Sequence, residues 1–156
     1  MTRVSGGRPT LLALAVSALI VGADQATKAL ARGAVARGES DPIFPGIELV
    51  NVRNRGVAFG FLSDGGTIVA VVTGLALLAL VVFFVVNRAR PLAWLPVGLL
   101  LGGAVGNLID RVREGAVTDF IDIPLWPAFN LADVSITFGV LALLYVLEGP
   151  SRAGDG

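Results

Sequence analysis

Two long stretches of this sequence carry no charged side chain: residues 67–86, 20 in a row, and 91–109, 19 in a row. As α-helices each would extend about 30 Å, the thickness of a bilayer's hydrocarbon core. A chain of 156 residues that is 54% hydrophobic and 15% charged, with a mean hydropathy of +0.79, also holds far more apolar surface than one water-soluble core of this size can bury. The bilayer is therefore its solvent. Between the two runs, Asn87-Arg88-Ala89-Arg90-Pro91 reads as a tight linker, with Pro91 suited to the start of the following helix.

Two further spans are less clean. Residues 11–23 give only 13 apolar positions before Asp24, so a first span of about 10–30 must continue through Asp24 and Lys28, with those charges near the interface. A last span over about 130–148 is apolar except for Asp133, and an ionisable residue inside a membrane helix is a functional candidate. The fold expected is thus an all-α polytopic membrane protein of four transmembrane helices: 10–30, 67–86, 91–110 and 130–148. A small extracytoplasmic β-cradle over 42–60 lies between the first two, and 111–129 is an outer loop. The competing reading, a cleaved signal peptide ending at Val21-Gly22-Ala23, would leave three spans. With four, the termini and the 87–91 linker share one side, where five of the 12 basic residues sit in very little chain. That density makes both termini cytoplasmic. Ten of the 12 acids fall at or beyond the opposite border, which puts any chemistry near the outer face.

Composition narrows that chemistry. With no Cys and no His, thiol nucleophiles, Ser-His machinery and Cys- or His-ligated metals are excluded, and a net charge of zero gives no sign of nucleic acid as a partner. Carboxylates remain, or a Ser or Thr activated by Lys28, the only lysine; no serine partner for Lys28 is evident. Asp24 and Lys28, four apart, form either a structural ion pair or a substrate-positioning one. Gly98, Gly102 and Gly106 make a stripe suited to close helix packing. At its end Asn107, Asp110 and Arg111 gather within a turn, either as a structural ion pair or as part of a site. Asn130 suits an N-cap with Asp133 three residues on, and Asp119 and Asp122 lie in the alternating stretch Val117-Thr118-Asp119-Phe120-Ile121-Asp122. A small ion-coupled transporter could use the same acids as proton or cation sites, although no inverted repeat is visible. A scaffold built on the glycine stripe would leave them without a role.

Five blocks in order resemble the lipoprotein signal peptidase (signal peptidase II) family of membrane aspartic proteases. They are Asp24-Gln25-Ala26-Thr27-Lys28, Asn54-Arg55-Gly56-Val57-Ala58-Phe59, Gly102-Gly103-Ala104-Val105-Gly106-Asn107-Leu108-Ile109-Asp110-Arg111, Val117-Thr118-Asp119-Phe120 and Phe129-Asn130-Leu131-Ala132-Asp133. One departure is Gly60, where the family leads one to expect serine. The resemblance implies a catalytic pair of Asp119 and Asp133. Asn54, Asn107, Asp110, Arg111, Asn130 and Ala132 would line or brace the site, and Asp24 and Lys28 would hold the outer end of the first span. It further implies a bacterial inner-membrane enzyme, monomeric and without cofactor or metal, that cuts diacylglyceryl-modified prolipoproteins on the amino side of the lipidated cysteine. Within such a pair, placement makes Asp133, at a helix start, the ionised partner and Asp119, among Val117, Phe120 and Ile121, the neutral one.

Overall fold

A computed structural model describes residues 7–55, 65–87 and 90–148. The elements in chain order are α1 (Gly7–Ala34), β1 (Ser40–Phe44), β2 (Ile47–Asn54), α2 (Gly65–Asn87), α3 (Trp94–Glu114), β3 (Val117–Ile123), β4 (Trp126–Phe129) and α4 (Leu131–Glu148). Among the described residues α1, α3 and α4 are long and apolar enough to cross a membrane, and Val71–Asn87 of α2 forms a shorter apolar helix. Their outward side chains, among them Leu11, Leu19, Leu75, Val86, Leu141 and Tyr145, are exposed large apolar groups, a surface that only lipid can solvate cheaply. The chain is a multi-pass membrane protein.

Helix α3 is the centre of the bundle, packing on α1, α2 and α4. Its glycines are the reason. A Cβ at Gly98 would come within 2.8 Å of Val16, and one at Gly102 within 2.7 Å of Ile20, both on α1. On the other face a Cβ at Gly103 would sit 2.5 Å from the Ala132 carbonyl of α4, while Gly139 of α4 admits Leu100 in return. With little hydrophobic drive between helices in lipid, such close backbone approach and its dispersion contacts hold the bundle together. The Ser135 hydroxyl adds an interhelical bond, donating to the Leu99 carbonyl at 2.9 Å.

A helix occupies each of the four apolar stretches read from the sequence, while the helix bounds and the intervening segments differ. Helix α1 does run on through Asp24 and Lys28, to Ala34. Pro91 does not open α3; it lies in the preceding turn, where Leu92 takes a positive φ of 63°, and the helix starts behind Ala93. The stretch 111–129 is not a loop. Helix α3 continues past Arg111 to Glu114, stops at Gly115 in the left-handed region (φ 70°), and the rest forms β3 and β4. Together with β1 and β2 they make one antiparallel sheet in the order β1-β2-β3-β4. The sheet therefore draws half its strands from beyond α3. The remainder of the 42–60 segment, with Gly56 to Gly60, and the linker residues 88–89 lie outside the described residues.

Sheet and bundle are joined at several points. The Asn51 side chain on β2 donates to the Val35 carbonyl just past α1, at 2.9 Å. Arg53 on β2 grips the end of α3, donating to the Glu114 carbonyl at 3.2 Å and its carboxylate at 2.6 Å, and Arg32 of α1 lies 3.5 Å from the same carboxylate. These groups are about 30% exposed, so the pairs fix geometry more than they add stability; exposed ion pairs contribute about 0–1 kcal/mol.

The packing makes Gly103→Ala a sharp probe. The new methyl meets backbone, which cannot swing aside, so the thermal midpoint in detergent should fall by several degrees, whereas Gly33→Ala, with nothing within 4 Å, should leave it within about a degree. Equal midpoints for the two variants would contradict the close α3–α4 approach.

Candidate active site

The site grows from a buried ammonium. Lys28 is fully buried, and a Lys head group has three N–H donors and no acceptor. All three are used: Asp24 Oδ2 at 2.8 Å, Asp110 Oδ2 at 3.1 Å and Asn107 Oδ1 at 2.9 Å. Gly106 makes room for this, since a Cβ there would lie 2.7 Å from Asp24 Oδ2. Gln25 closes the cluster by donating from Nε2 to Asp110 Oδ1 at 2.9 Å and to the Gly106 carbonyl at 3.2 Å.

Both carboxylates then reach out of the cluster to backbone. Asp24 Oδ1 accepts from the Ala132 N–H of α4 at 2.9 Å, and Asp110 Oδ2 from the Thr118 N–H of β3 at 3.1 Å. The next residues along the chain are Asp133 and Asp119. The ion cluster thus fixes the two segments that carry them.

Asp133 occupies the third position of α4, behind Asn130. Its N–H donates to Asn130 Oδ1 at 3.0 Å, and its Oδ2 accepts from the Asn130 N–H at 3.2 Å, a reciprocal capping box. Its Oδ1 accepts from Asn107 Nδ2 at 2.9 Å. Asp119, 2% exposed on β3, accepts from Asn130 Nδ2 at 2.7 Å and from Asn54 Nδ2 of β2 at 2.9 Å. Asn130 therefore bonds both carboxyl groups, its side-chain amide holding one and its backbone the other. Burial pushes the Asp119 carboxyl up to about 6, and the Asp133 charge adds to the rise, while the bonds from Asn54 and Asn130 and the Lys28 charge oppose it. A carboxyl that keeps its proton up to about pH 6 beside a second carboxyl is one that general acid–base chemistry can use.

Of the ten residues singled out from sequence, nine are tied together by the hydrogen bonds and ion pairs above. Ala132 contributes its backbone, which a side-chain reading cannot anticipate. The tenth, Arg111, donates from Nη1 to the Asn107 carbonyl at 3.4 Å, its Nε is buried without a hydrogen-bond partner among the described residues, and its charge is felt by Asp133, Asp119 and Asp110. Asp122 stays apart, paired across the sheet with Glu48. Sequence reading missed Gln25, although it stands inside the first motif, and the Arg32, Arg53 and Glu114 clamp, for which a sequence offers no signal because its members are far apart along the chain.

A family model described as signal peptidase (SPase) II matches residues 16–148. The chain belongs to the signal peptidase II family. It is 37% identical to the lipoprotein signal peptidase of Halothermothrix orenii, over 88% of this chain and 95% of that one, and 41% identical to that of Moorella thermoacetica, over 88% and 93%. Among solved structures it resembles a bacterial membrane enzyme determined by the in meso method at 1.9 Å resolution, with a TM-score of 0.79 and 34% identity, covering 89% of this chain and 94% of that one. A member of the signal peptidase II family is a protease, and nothing in these matches supports an ion-coupled transporter.

The raised Asp119 carboxyl has a measurable consequence. Between the ordinary carboxyl range, about 4, and about 6, the unfolded chain has released this proton while the folded protein still holds it, so the contribution of Asp119 to stability falls as pH rises through that window. Asp119→Asn removes the titration. The thermal midpoint of the variant relative to the wild type should therefore climb by several degrees from about pH 4.5 to pH 8. A difference independent of pH would show that Asp119 titrates normally.

Proposed function

We propose that this signal peptidase II removes the signal peptide from diacylglyceryl-modified bacterial prolipoproteins, cutting on the amino side of the lipidated cysteine, with Asp119 and Asp133 as its catalytic pair. The observation that carries the assignment is the bridging of these two carboxyl groups by Asn130 in a chain of this family.

The chemistry follows from two acids sharing one proton. Asp133, ionised, takes a proton from water as its oxygen attacks the scissile carbonyl carbon; Asp119, neutral, gives its proton to the carbonyl oxygen. The resulting diol collapses as Asp119 recovers that proton and Asp133 passes the other to the departing amine, breaking the C–N bond and restoring the starting state. Asn54, Asn107 and Asn130 hold the carboxyl oxygens at the geometry this exchange needs, and Arg111 offers a positive charge toward the developing oxyanion.

In this reading the enzyme works as a monomer in the bacterial inner membrane. Four helices span it, both termini are cytoplasmic, and the sheet rests on the outer leaflet. The substrate's acyl chains remain in the bilayer while its peptide enters between bundle and sheet. Binding of the lipid supplies anchoring and orientation at the scissile bond.

Purified protein in detergent, without added metal, should cleave a lipidated prolipoprotein. Asp119→Asn and Asp133→Asn should each lower kcat by at least about a thousandfold with the fold retained, Asp122→Asn should keep substantial activity, and unlipidated substrate should lose most of its kcat/KM. Near wild-type cleavage by either dyad variant would refute the catalytic assignment, and equal kcat/KM for lipidated and unlipidated forms would refute the substrate class.

A further inference from the structure

Asn107 stands between two groups of opposite demand. On one side is the Lys28 ammonium, which can only donate; on the other is the Asp133 carboxylate, an acceptor. An Asn amide has one end of each kind, and turned over it would aim its N–H groups at an ammonium and its oxygen at a carboxylate. The charge on Lys28 thereby fixes which way the amide faces. Lys28 cannot relax its hold, since its other two donors are committed to Asp24 and Asp110 and it has no exposed surface.

We infer that Lys28 and Asn107 form a positioning relay for Asp133, in which the buried ammonium locks the Asn107 amide so that its Nδ2–H always presents to Asp133 Oδ1. The inference rests on the dyad assignment above. Asp133 is then held at both oxygens, by Asn107 of α3 and by the Asn130 N–H. The carboxylate plane, and with it the lone pair offered to water, is set without any contact between Lys28 and the reacting atoms. The other charges around Asp133 are Asp119 on β3 and Arg111 on α3, with Asp24 and Asp110 beyond the ammonium. Among the described residues none of these makes a hydrogen bond to Asn107 Oδ1 or Nδ2, so the amide's orientation is governed by Lys28 and Asp133 alone.

A structural role and a positioning role separate in Asn107→Asp. The carboxylate gives Lys28 a stronger partner, so an Asn107 needed only to satisfy the ammonium is replaced without harm. A relay is broken, because Asp133 loses its donor and meets an acceptor. With lipidated prolipoprotein in detergent, Asn107→Asp should lose on the order of a hundredfold in kcat with KM within about threefold in protein that still folds. Asn107→Ala and Lys28→Gln, the latter allowing the amide to turn over, should each lose about tenfold or more in kcat with KM likewise retained. A kcat within about threefold of wild type in any of these variants that folds, or no folded protein from any of them, overturns the relay. Failure of the dyad reading itself is distinguishable, because Asp133→Asn would then remain active.

Discussion

One ammonium group organises this molecule. Lys28 lies at zero exposure, and leaving such a charge without partners would cost several kcal/mol or more. Its three donors consequently demand three acceptors in fixed directions, and the chain supplies them from α1 and α3: Asp24, Asp110 and Asn107. The surface pairs around Glu114 carry no such penalty when broken. One glycine of α3 serves the same requirement, since at Gly106 any side chain would displace the Asp24 carboxylate.

From that point the constraint propagates outward along two carboxylates. Asp24 bonds the backbone of Ala132 and Asp110 that of Thr118, so the amides immediately before the two acids of the site are fixed by the cluster that neutralises Lys28. A helix start and a strand, elements joined otherwise by a short hairpin, are thereby locked to one origin. Asn130 completes the frame by bonding both acids. Stability and geometry share the same groups here, which is why loss of Asp24 or Asp110 would be felt both in folding and at the site.

Much of this was legible in the sequence, for local reasons. The Asp24/Lys28 pair and the Asn130/Asp133 cap follow from spacings of four and three on a helix, and uncharged runs of bilayer length mark helices without reference to tertiary structure. The family motifs then brought distant blocks into one list. What stayed hidden was long-range. Strand β3 pairs with β2 across two intervening helices, and no local pattern reveals that Arg53 faces Thr118 or that Asn54 reaches Asp119. The stretch 111–129 looked like a loop because a short, half-polar segment gains strand structure only from its partner. Ala132 and Thr118 act through backbone N–H groups, which every sequence position possesses.

The proposed chemistry depends on the pair of Asp119 and Asp133, with the proton held on Asp119. Infrared difference spectroscopy of protein carrying ¹³C-labelled aspartate, titrated between about pH 5 and 8, observes that proton directly. A protonated aspartyl group with a midpoint near 6 should vanish in Asp119→Asn and survive in Asp122→Asn. The same titration persisting unchanged in Asp119→Asn would contradict the proposed chemistry.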